Sequence, residues 1–253
     1  MAETETKGRV RVAAIADLHC PRFSSDVLQP IFTYAATHAD VLLLAGDLTD
    51  RGLEDEARTL VKELAGVKIP VVAVLGNHDF ESGKAAEVTA VLREAGVTIL
   101  DGEALVVHGI GIAGTKGFGG GFGQRALQPW GEPSIKQFVH EALAEALKLE
   151  SALAKLRTPT KIALLHYAPV PSTVAGEPPE IFPFLGSSRL EEPLTRYEVS
   201  AVFHGHAHSG APEGRTRAGV PVYNCALPVL QRIAPQAPVR VVDVLTGAAE
   251  AVT

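Results

Sequence analysis

Cysteine is scarce in this sequence, which has only Cys20 and Cys225 among 253 residues. Two cysteines cannot form a disulfide framework, and their wide separation resembles no thiolate metal-binding motif. We therefore expect the protein to work in a reducing compartment, the cytoplasm.

Long hydrophobic runs and blocks of basic residues are also missing. No apolar stretch reaches the roughly 18 to 20 residues that cross a bilayer, and residues 1–8 carry charge without the apolar core of a secretion signal. We expect these eight residues to form a flexible N-terminal segment. The net charge is −6, so the protein lacks the basic surface expected of one that binds long nucleic acid. We therefore expect neither a membrane nor long nucleic acid as a partner.

Strand and helix patterns alternate along the chain. Segments 9–17, 40–47 and 69–79 are rich in valine and leucine and predict buried parallel strands, with helices over 24–38, 53–65 and 82–95. Segment 96–114 predicts short strands that add an antiparallel portion to this sheet. Ser134 is expected to cap a helix that runs to about Leu156, and four more strands follow. With 253 residues and 46% hydrophobic composition, residues 1–253 fit a single α/β domain.

Polar side chains gather where five of the predicted strands end. In an open α/β sheet, ligands bind beyond the carboxyl ends of the strands, so these side chains are expected to meet in one crevice. The segment "GHAH" alone could be a polar loop, but its alternate histidines would point the same way in an extended chain and could converge on a metal. The strand-end residues are Asp17 and His19, Asp47, Asn77 to Asp79, His166, and His206 with His208.

This pattern of D-x-H, G-D, G-N-H-D, H and G-H-x-H, in this order, resembles the calcineurin-like metallophosphoesterase superfamily. The resemblance runs from Asp17 to His208 and implies an α/β fold of four layers, in which two mixed β-sheets are flanked by helices. It also implies two divalent metal ions and hydrolysis of a phosphoester by a hydroxide that the ions share. Imidazole and carboxylate ligands without thiolate suit manganese, iron or zinc, and two ions about 3.5–4 Å apart can activate such a hydroxide.

The resemblance assigns roles to individual residues. One ion would be bound by Asp17, His19, Asp47 and His208, and the other by Asp47, Asn77, His166 and His206, so that Asp47 bridges the two. His78 would act as general acid toward the leaving group, and Asp79 would orient it. Arg51, in the run "GDLTDRG", could contact phosphate as in serine/threonine phosphatases, or could be a solvated residue that opens the next helix.

Small phosphodiesters such as cyclic nucleotides are the expected substrates, because single-domain members with "GNHD" and similar spacing resemble phosphodiesterases. A phosphomonoesterase acting on a nucleotide or sugar phosphate is the alternative. A third reading is a protein-binding scaffold, as in the retromer subunit of the superfamily, but that protein lacks the catalytic histidine and this chain keeps His78.

Two irregular segments, 115–133 and 167–186, are expected to form the rim of the crevice and to select the substrate. The first is too rich in glycine for a regular element, and the second starts directly after His166. Their aromatic side chains could stack on a nucleobase or could simply pin the loops to the body of the protein. These side chains are Phe118, Phe122, Trp130, Tyr167, Phe182 and Phe184.

Overall fold

A computed structural model describes residues 8–23 and 27–246. Apart from Gly8, the predicted flexible segment at residues 1–8 lies outside the described residues. Within them, no helix is long and apolar enough to cross a membrane. The strands in chain order are β1 (Arg9–Ile15), β2 (Val41–Ala45), β3 (Val71–Val74), β4 (Thr98–Ile99), β5 (Glu103–Val107), β6 (Ile110–Gly114), β7 (Thr160–Leu164), β8 (Ala201–His204), β9 (Glu213–Arg215), β10 (Pro221–Asn224) and β11 (Arg240–Leu245).

Seven α-helices accompany these strands in the described residues. The longest, of 23 residues, packs on the hairpin of β5 and β6. In chain order they are α1 (Leu28–His38), α2 (Glu54–Glu63), α3 (Ala85–Glu94), α4 (Pro133–Lys155), α5 (Phe182–Leu185), α6 (Glu191–Arg196) and α7 (Leu227–Ile233).

The strands form two mixed sheets, as expected. The first has the order β11-β1-β2-β3-β4, and the second has the order β5-β6-β7-β8-β10-β9. A continuous apolar core joins them, with Val12 and Ile15 of the first sheet in the same buried cluster as Ile162 and Phe203 of the second. Helices α1 to α3 contribute to this cluster from the outer side of the first sheet, while α4 packs on the second. The predicted four-layer α/β arrangement is confirmed.

The antiparallel addition to the first sheet is not where the sequence pattern placed it. β4 pairs parallel with β3 because helix α3 crosses back between them, and the antiparallel pair β5 and β6 begins the second sheet instead. His108 and Gly109 form the two-residue hairpin turn, with φ of 49° and 79°. β11 then returns to pair antiparallel with β1. β1 and β11 are more than 200 residues apart along the chain. Local periodicity does not encode pairing over such a separation.

The long helix α4 begins two residues earlier than a cap at Ser134 predicts. Pro133 occupies its first turn and Glu132 precedes it without a side-chain cap, so the prediction that Ser134 caps the helix is wrong. Proline needs no backbone donor at this position and has the right φ, so no side-chain cap is required. Among the apolar side chains of this helix, Ala142, Leu149 and Leu153 are buried, while Ile135 is exposed.

Candidate functional site

The residues predicted from the sequence come together at one edge of the molecule. β1, β2 and β3 of the first sheet run parallel, as do β7 and β8 of the second, and their carboxyl ends meet here. Contacts between the sheets close the edge. The His206 amide donates to the Asp17 carboxylate (2.9 Å to Oδ2), and His166 Nδ1 lies 2.9 Å from the carbonyl oxygen of Ala45.

The backbone at this edge is strained in a way that aims the side chains inward. Six non-glycine residues among those described have positive φ, and four of them belong to the site: Asp17 (56°), His19 (41°), Asp47 (49°) and His206 (70°). Left-handed backbone is costly for residues other than glycine and concentrates at functional sites. The surrounding sheets must therefore hold these four residues in place.

Glycine is required beside three of the site residues because nothing larger fits. A Cβ on Gly46 would lie 2.5 Å from His166 Nδ1, and a Cβ on Gly76 would lie 2.1 Å from Asp47 Oδ1. A Cβ on Gly205 would lie 2.4 Å from Asp17 Oδ2. Each distance is far below van der Waals contact, so the glycines of the G-D, G-N-H and G-H-x-H segments admit the neighbouring side chains.

The first group of potential ligands is formed by Asp17, His19 and His208. One nitrogen or oxygen atom of each lies within 4.8 Å of the others. His208 Nε2 lies 3.0 Å from Asp17 Oδ1, and His19 Nε2 lies 3.8 Å from Asp47 Oδ2. His19 Nε2 is buried and has no hydrogen-bond partner. A buried imidazole nitrogen without a partner is costly, and a cation would compensate it.

The second group contains Asp47, His166 and His206, which satisfy the same 4.8 Å criterion. His166 Nε2 lies 2.9 Å from Asn77 Oδ1 and 3.4 Å from Asp47 Oδ1. Asp47 is 1% exposed. Its Oδ1 faces this group while its Oδ2 faces His19, so the carboxylate lies between the two groups.

The hydrogen bonds of two histidines fix which nitrogen could bind a cation. A carbonyl oxygen cannot donate, so His166 Nδ1 must carry the proton that it shares with Ala45, and His206 Nε2 must donate to the Phe184 carbonyl at 3.1 Å. In neutral imidazole the other nitrogen then carries a lone pair. The lone pair of His166 Nε2 points at two oxygen atoms that also offer only lone pairs, and this convergence suits a cation.

The pKa shifts of Asp17 and His206 favour a charged carboxylate and a neutral imidazole. Burial alone would raise the pKa of Asp17, but the hydrogen bond from His208 and the nearby His166 lower it to about 2. Burial lowers the pKa of His206 to about 4. At neutral pH the carboxylate is therefore charged and the imidazole neutral, which are the forms that bind divalent cations.

His78 is placed beside these groups without belonging to either. Its backbone amide donates to Asp47 Oδ1 (2.9 Å), and its Nδ1 donates to the Asp50 carbonyl (2.7 Å). The ring centroid lies 4.4 Å from that of His19. Burial lowers the pKa of His78, but the bond to Asp50 and the charge of Asp47 outweigh burial, and the net shift is upward.

Asp79 does not touch the His78 ring, so the expectation that it orients His78 directly is wrong. The carboxylate is fully buried and accepts hydrogen bonds from the amides of Leu48 (3.2 Å), Thr49 (2.9 Å) and Gly76 (2.8 Å), and from Thr49 Oγ1 (2.6 Å). Asp79 thus ties the turn after β2 to the turn after β3. The partner of the His78 ring is the Asp50 carbonyl, which no side-chain pattern reveals.

Arg51 lies at the edge of the site with a largely exposed side chain. Its Nε is 3.6 Å from Asp50 Oδ2, and its amide donates to Glu56 Oε2 (2.9 Å) at the start of α2. This position agrees with the opening of the next helix and leaves the guanidinium free to face solvent. A contact with phosphate stays a prediction.

Two residues beside the site were missed in the sequence. Lys116 is the second residue after β6 and its carbonyl accepts the amide of His166 (2.9 Å), so the strand-end rule could have found it. Glu145 of α4 is 1% exposed and accepts from Thr115 Oγ1 (2.6 Å) and the Gly117 amide (2.8 Å). Glutamate in a charged helix carries no sequence signal of such burial.

The other histidines behave as structural residues. His204 is fully buried and its Nε2 lies 2.8 Å from Thr173 Oγ1. His38 is the last residue of α1 and stacks on Tyr34, and His140 is exposed on α4. Cys20 is buried, and burial raises the pKa of its thiol to about 12.

Two facing mixed sheets with a histidine and carboxylate crevice at their strand ends define the class of hydrolases that cleave phosphoester bonds. The comparison with known families agrees: the calcineurin-like phosphoesterase profile matches residues 10–210, and the chain belongs to this family. Its members normally use divalent metal ions, and the two groups of ligands described above fit that requirement.

The relatives of this chain are distant. A protein of Vesicomyosocius okutanii subsp. Calyptogena okutanii (strain HA), named "Probable cyclic nucleotide phosphodiesterase", is 26% identical over 199 residues, 76% of this chain and 71% of that protein. The crystal structure of the phosphopantetheinyl hydrolase of Mycobacterium tuberculosis matches with a TM-score of 0.66 and 18% identity, over 92% of this chain and 95% of its own. The protein TT1561 of Thermus thermophilus matches with a TM-score of 0.54 and 16% identity, over 86% and 89%. The two structures show the shared fold.

Proposed function

We propose that this protein hydrolyses small phosphodiesters, such as cyclic nucleotides, with the help of two divalent metal ions. The observation that carries the proposal is the position of Asp47, whose two carboxylate oxygens face two separate groups of histidines. The curated relative named as a cyclic nucleotide phosphodiesterase supports the choice of a diester.

The ligands divide between the ions as follows. Asp17, His19 and His208 would hold one ion, and Asn77, His166 and His206 would hold the other, with Asp47 shared. Nitrogen and oxygen donors without sulfur suit manganese, iron or zinc. Two such ions supply Lewis acidity toward phosphate and lower the pKa of a water toward neutrality.

The charge of the site favours an anionic substrate. Asp17 and Asp47 are the two carboxylates among the proposed ligands, and they would neutralise only half of the charge of two divalent cations. The remaining positive charge is held where burial keeps the local dielectric low, which strengthens attraction of a phosphate group. Such local charge explains how a protein of net charge −6 can bind an anion.

In this proposal, His78 protonates the leaving group. Its Nδ1 is engaged with the Asp50 carbonyl, so Nε2 is the nitrogen available to the substrate. The upward pKa shift keeps more of the ring in its protonated, donating form at neutral pH than an isolated histidine would have. The leaving alkoxide would take this proton as the P–O bond breaks.

The test is a metal titration combined with a substrate panel. Purified protein is depleted of metal, reloaded with manganese, iron or zinc, and measured for metal content by mass spectrometry. Each form is then given bis(4-nitrophenyl) phosphate, 3′,5′-cyclic and 2′,3′-cyclic nucleotides, nucleoside monophosphates and sugar phosphates. We expect two ions per chain and faster turnover of diesters. A single ion would contradict the shared role of Asp47, and faster turnover of monoesters would establish a phosphomonoesterase instead.

A further inference from the structure

A cavity beside the second group of ligands has a lining that the hydrolytic reaction does not require. It has a volume of about 490 Å³ and lies between α4 and the residues that follow β3, β6 and β7. Asn77 and Tyr167 place it next to the site, since Asn77 contacts His166 and the Tyr167 ring centroid is 4.5 Å from that of His206. A substrate whose phosphate lies in the site could therefore extend into this cavity.

Aromatic rings form much of the cavity wall. Phe118 packs against Phe138 with centroids 4.8 Å apart and lies 5.7 Å from Tyr167, so these three rings support one another. Phe80 differs, because its side chain is 46% exposed although it is a large apolar residue. A partly exposed ring in the wall of a cavity offers apolar surface on which a planar group can stack.

Lys116 provides a cationic group in the wall of the cavity. Its Nζ lies 4.8 Å from the Phe118 centroid, 5.2 Å from that of Tyr167 and 5.6 Å from that of Phe80. Its Nζ donates to the Gly117 carbonyl (2.9 Å). Among the described residues it forms no ion pair within 4.0 Å, although the charges of Glu145 and Glu141 act on it. An ammonium group has three donors and no acceptor, so a ligand that meets it must offer an acceptor.

Glu145 keeps the lysine in position. It binds Thr115 Oγ1 on one side of Lys116 and the Gly117 amide on the other. The backbone on both sides of Lys116 is thus tied to α4, whose residues Gln137 and Glu141 line the opposite wall of the cavity. The ammonium is therefore presented by a fixed segment, which lowers the entropy cost of recognition.

We infer that this cavity binds the nucleobase of a nucleotide diester, with the base stacked on Phe80 and an acceptor atom on its edge bonded to Lys116. This inference rests on the proposed function and specifies its substrate as one that carries a planar heterocycle. Trp130, which the sequence suggested as a stacking residue, is 75% exposed and does not line the cavity, so it has no part in the inference.

The test compares two substrates that share the reacting ring. One is 3′,5′-cyclic GMP. The other is the 3′,5′-cyclic phosphate of methyl riboside, which has the same reacting ring but lacks the base. We expect K116M and F80L each to lower kcat/KM on cyclic GMP roughly 5- to 100-fold, as loss of a stacking contact or charged hydrogen bond does. Both variants should keep the wild-type rate on the substrate without a base, with wild-type metal content. K155M and W130L, which change an exposed lysine and an exposed aromatic outside the cavity, should leave both rates unchanged.

The outcomes separate the inference from the proposed function. Equal losses on both substrates, or no loss on cyclic GMP, would overturn the nucleobase cavity while the phosphodiesterase activity stands. If metal-loaded wild-type protein turns over none of the phosphodiesters in the panel above, the proposed function fails. In that case, or if it turns over neither of these two substrates, the cavity is judged by ligand-observed NMR with guanosine alone. Guanosine binding that is lost in K116M supports the cavity, and absence of binding to wild-type protein overturns it.

Discussion

Replacing Asp47 with asparagine distinguishes the loss of metal binding at a shared ligand from a loss of stability of the metal-free fold. The substitution conserves volume, and an asparagine oxygen could still accept the His78 amide that Oδ1 accepts at 2.9 Å. The side-chain amide would then replace Oδ2, which lies 3.8 Å from the unpartnered His19 Nε2. A donor in place of a carboxylate oxygen suits that nitrogen. We therefore expect metal-free D47N to be at least as stable as metal-free wild type.

In the presence of metal, D47N is expected to be less stable than the wild type. At a free metal concentration about 100 times Kd, binding stabilises the wild-type fold by about 2.7 kcal/mol. If the variant binds about 100-fold more weakly, the same concentration stabilises it by only about 0.4 kcal/mol. The difference of about 2.3 kcal/mol corresponds to a Tm lower by about 5–9 °C for a chain of this size.

The assay is thermal unfolding followed by circular dichroism, with and without metal, together with metal content and turnover. D243N serves as the control, because Asp243 pairs with Arg9 on the surface with 51% of its side chain exposed. D47N should lose the metal-dependent rise in Tm and its turnover together, and D243N should keep both. Full occupancy by two ions with wild-type turnover in D47N would refute the shared-ligand role. A metal-free Tm that falls by many degrees would refute the argument about His19.

Three further predictions follow from the hydrogen bonds and pKa shifts. H78A should keep its metals but lose about 10²–10⁴ in kcat with alkoxide leaving groups and less with nitrophenolate. Its pH–rate profile should also lack the alkaline limb expected of the wild type. That limb is expected because the raised pKa of His78 preserves the proton donor until the pH passes above it. Equal losses for all leaving groups would instead mean that His78 positions phosphate. Burial lowers the pKa of His204 to about 4, so between about pH 6.5 and 4 the unfolded chain binds more protons than the folded chain and stability falls with falling pH. In H204Q the urea midpoint should therefore change less between pH 7 and pH 5 than in the wild type. An equal change of midpoint in the two proteins would contradict this. E145A should cost about 1–3 kcal/mol because it leaves two donors unpaired, whereas E145Q should recover part of this in urea unfolding, and equal midpoints for E145A and wild type would refute the anchoring role.

Local patterns predicted helices α1 to α4 and most strands, but not the short helices α5 to α7 or every strand pairing. Valine-rich strands and amphipathic helices are visible in short windows because burial imposes their periodicity. The observed elements are shorter than expected: β3 ends at Val74, and Gly76 to Asp79 form a turn and a short 3-10 helix rather than strand. The site residues needed this departure from regular structure, since a continuous strand would have alternated their directions.

The order of the D-x-H, G-D, G-N-H-D and G-H-x-H segments along the chain is enough to predict which residues meet, because each segment follows a strand and the carboxyl ends of parallel strands share one edge. How these residues meet depends on long-range contacts in the folded chain. The ring orientations of His166 and His206 depend on the carbonyls of Ala45 and Phe184, which lie 121 and 22 residues away along the chain. Likewise, Asp79 binds the turn after β2 instead of His78. Backbone carbonyls and amides are the same at every position, so the groups that orient these side chains leave no trace in the sequence and act only through their positions in space.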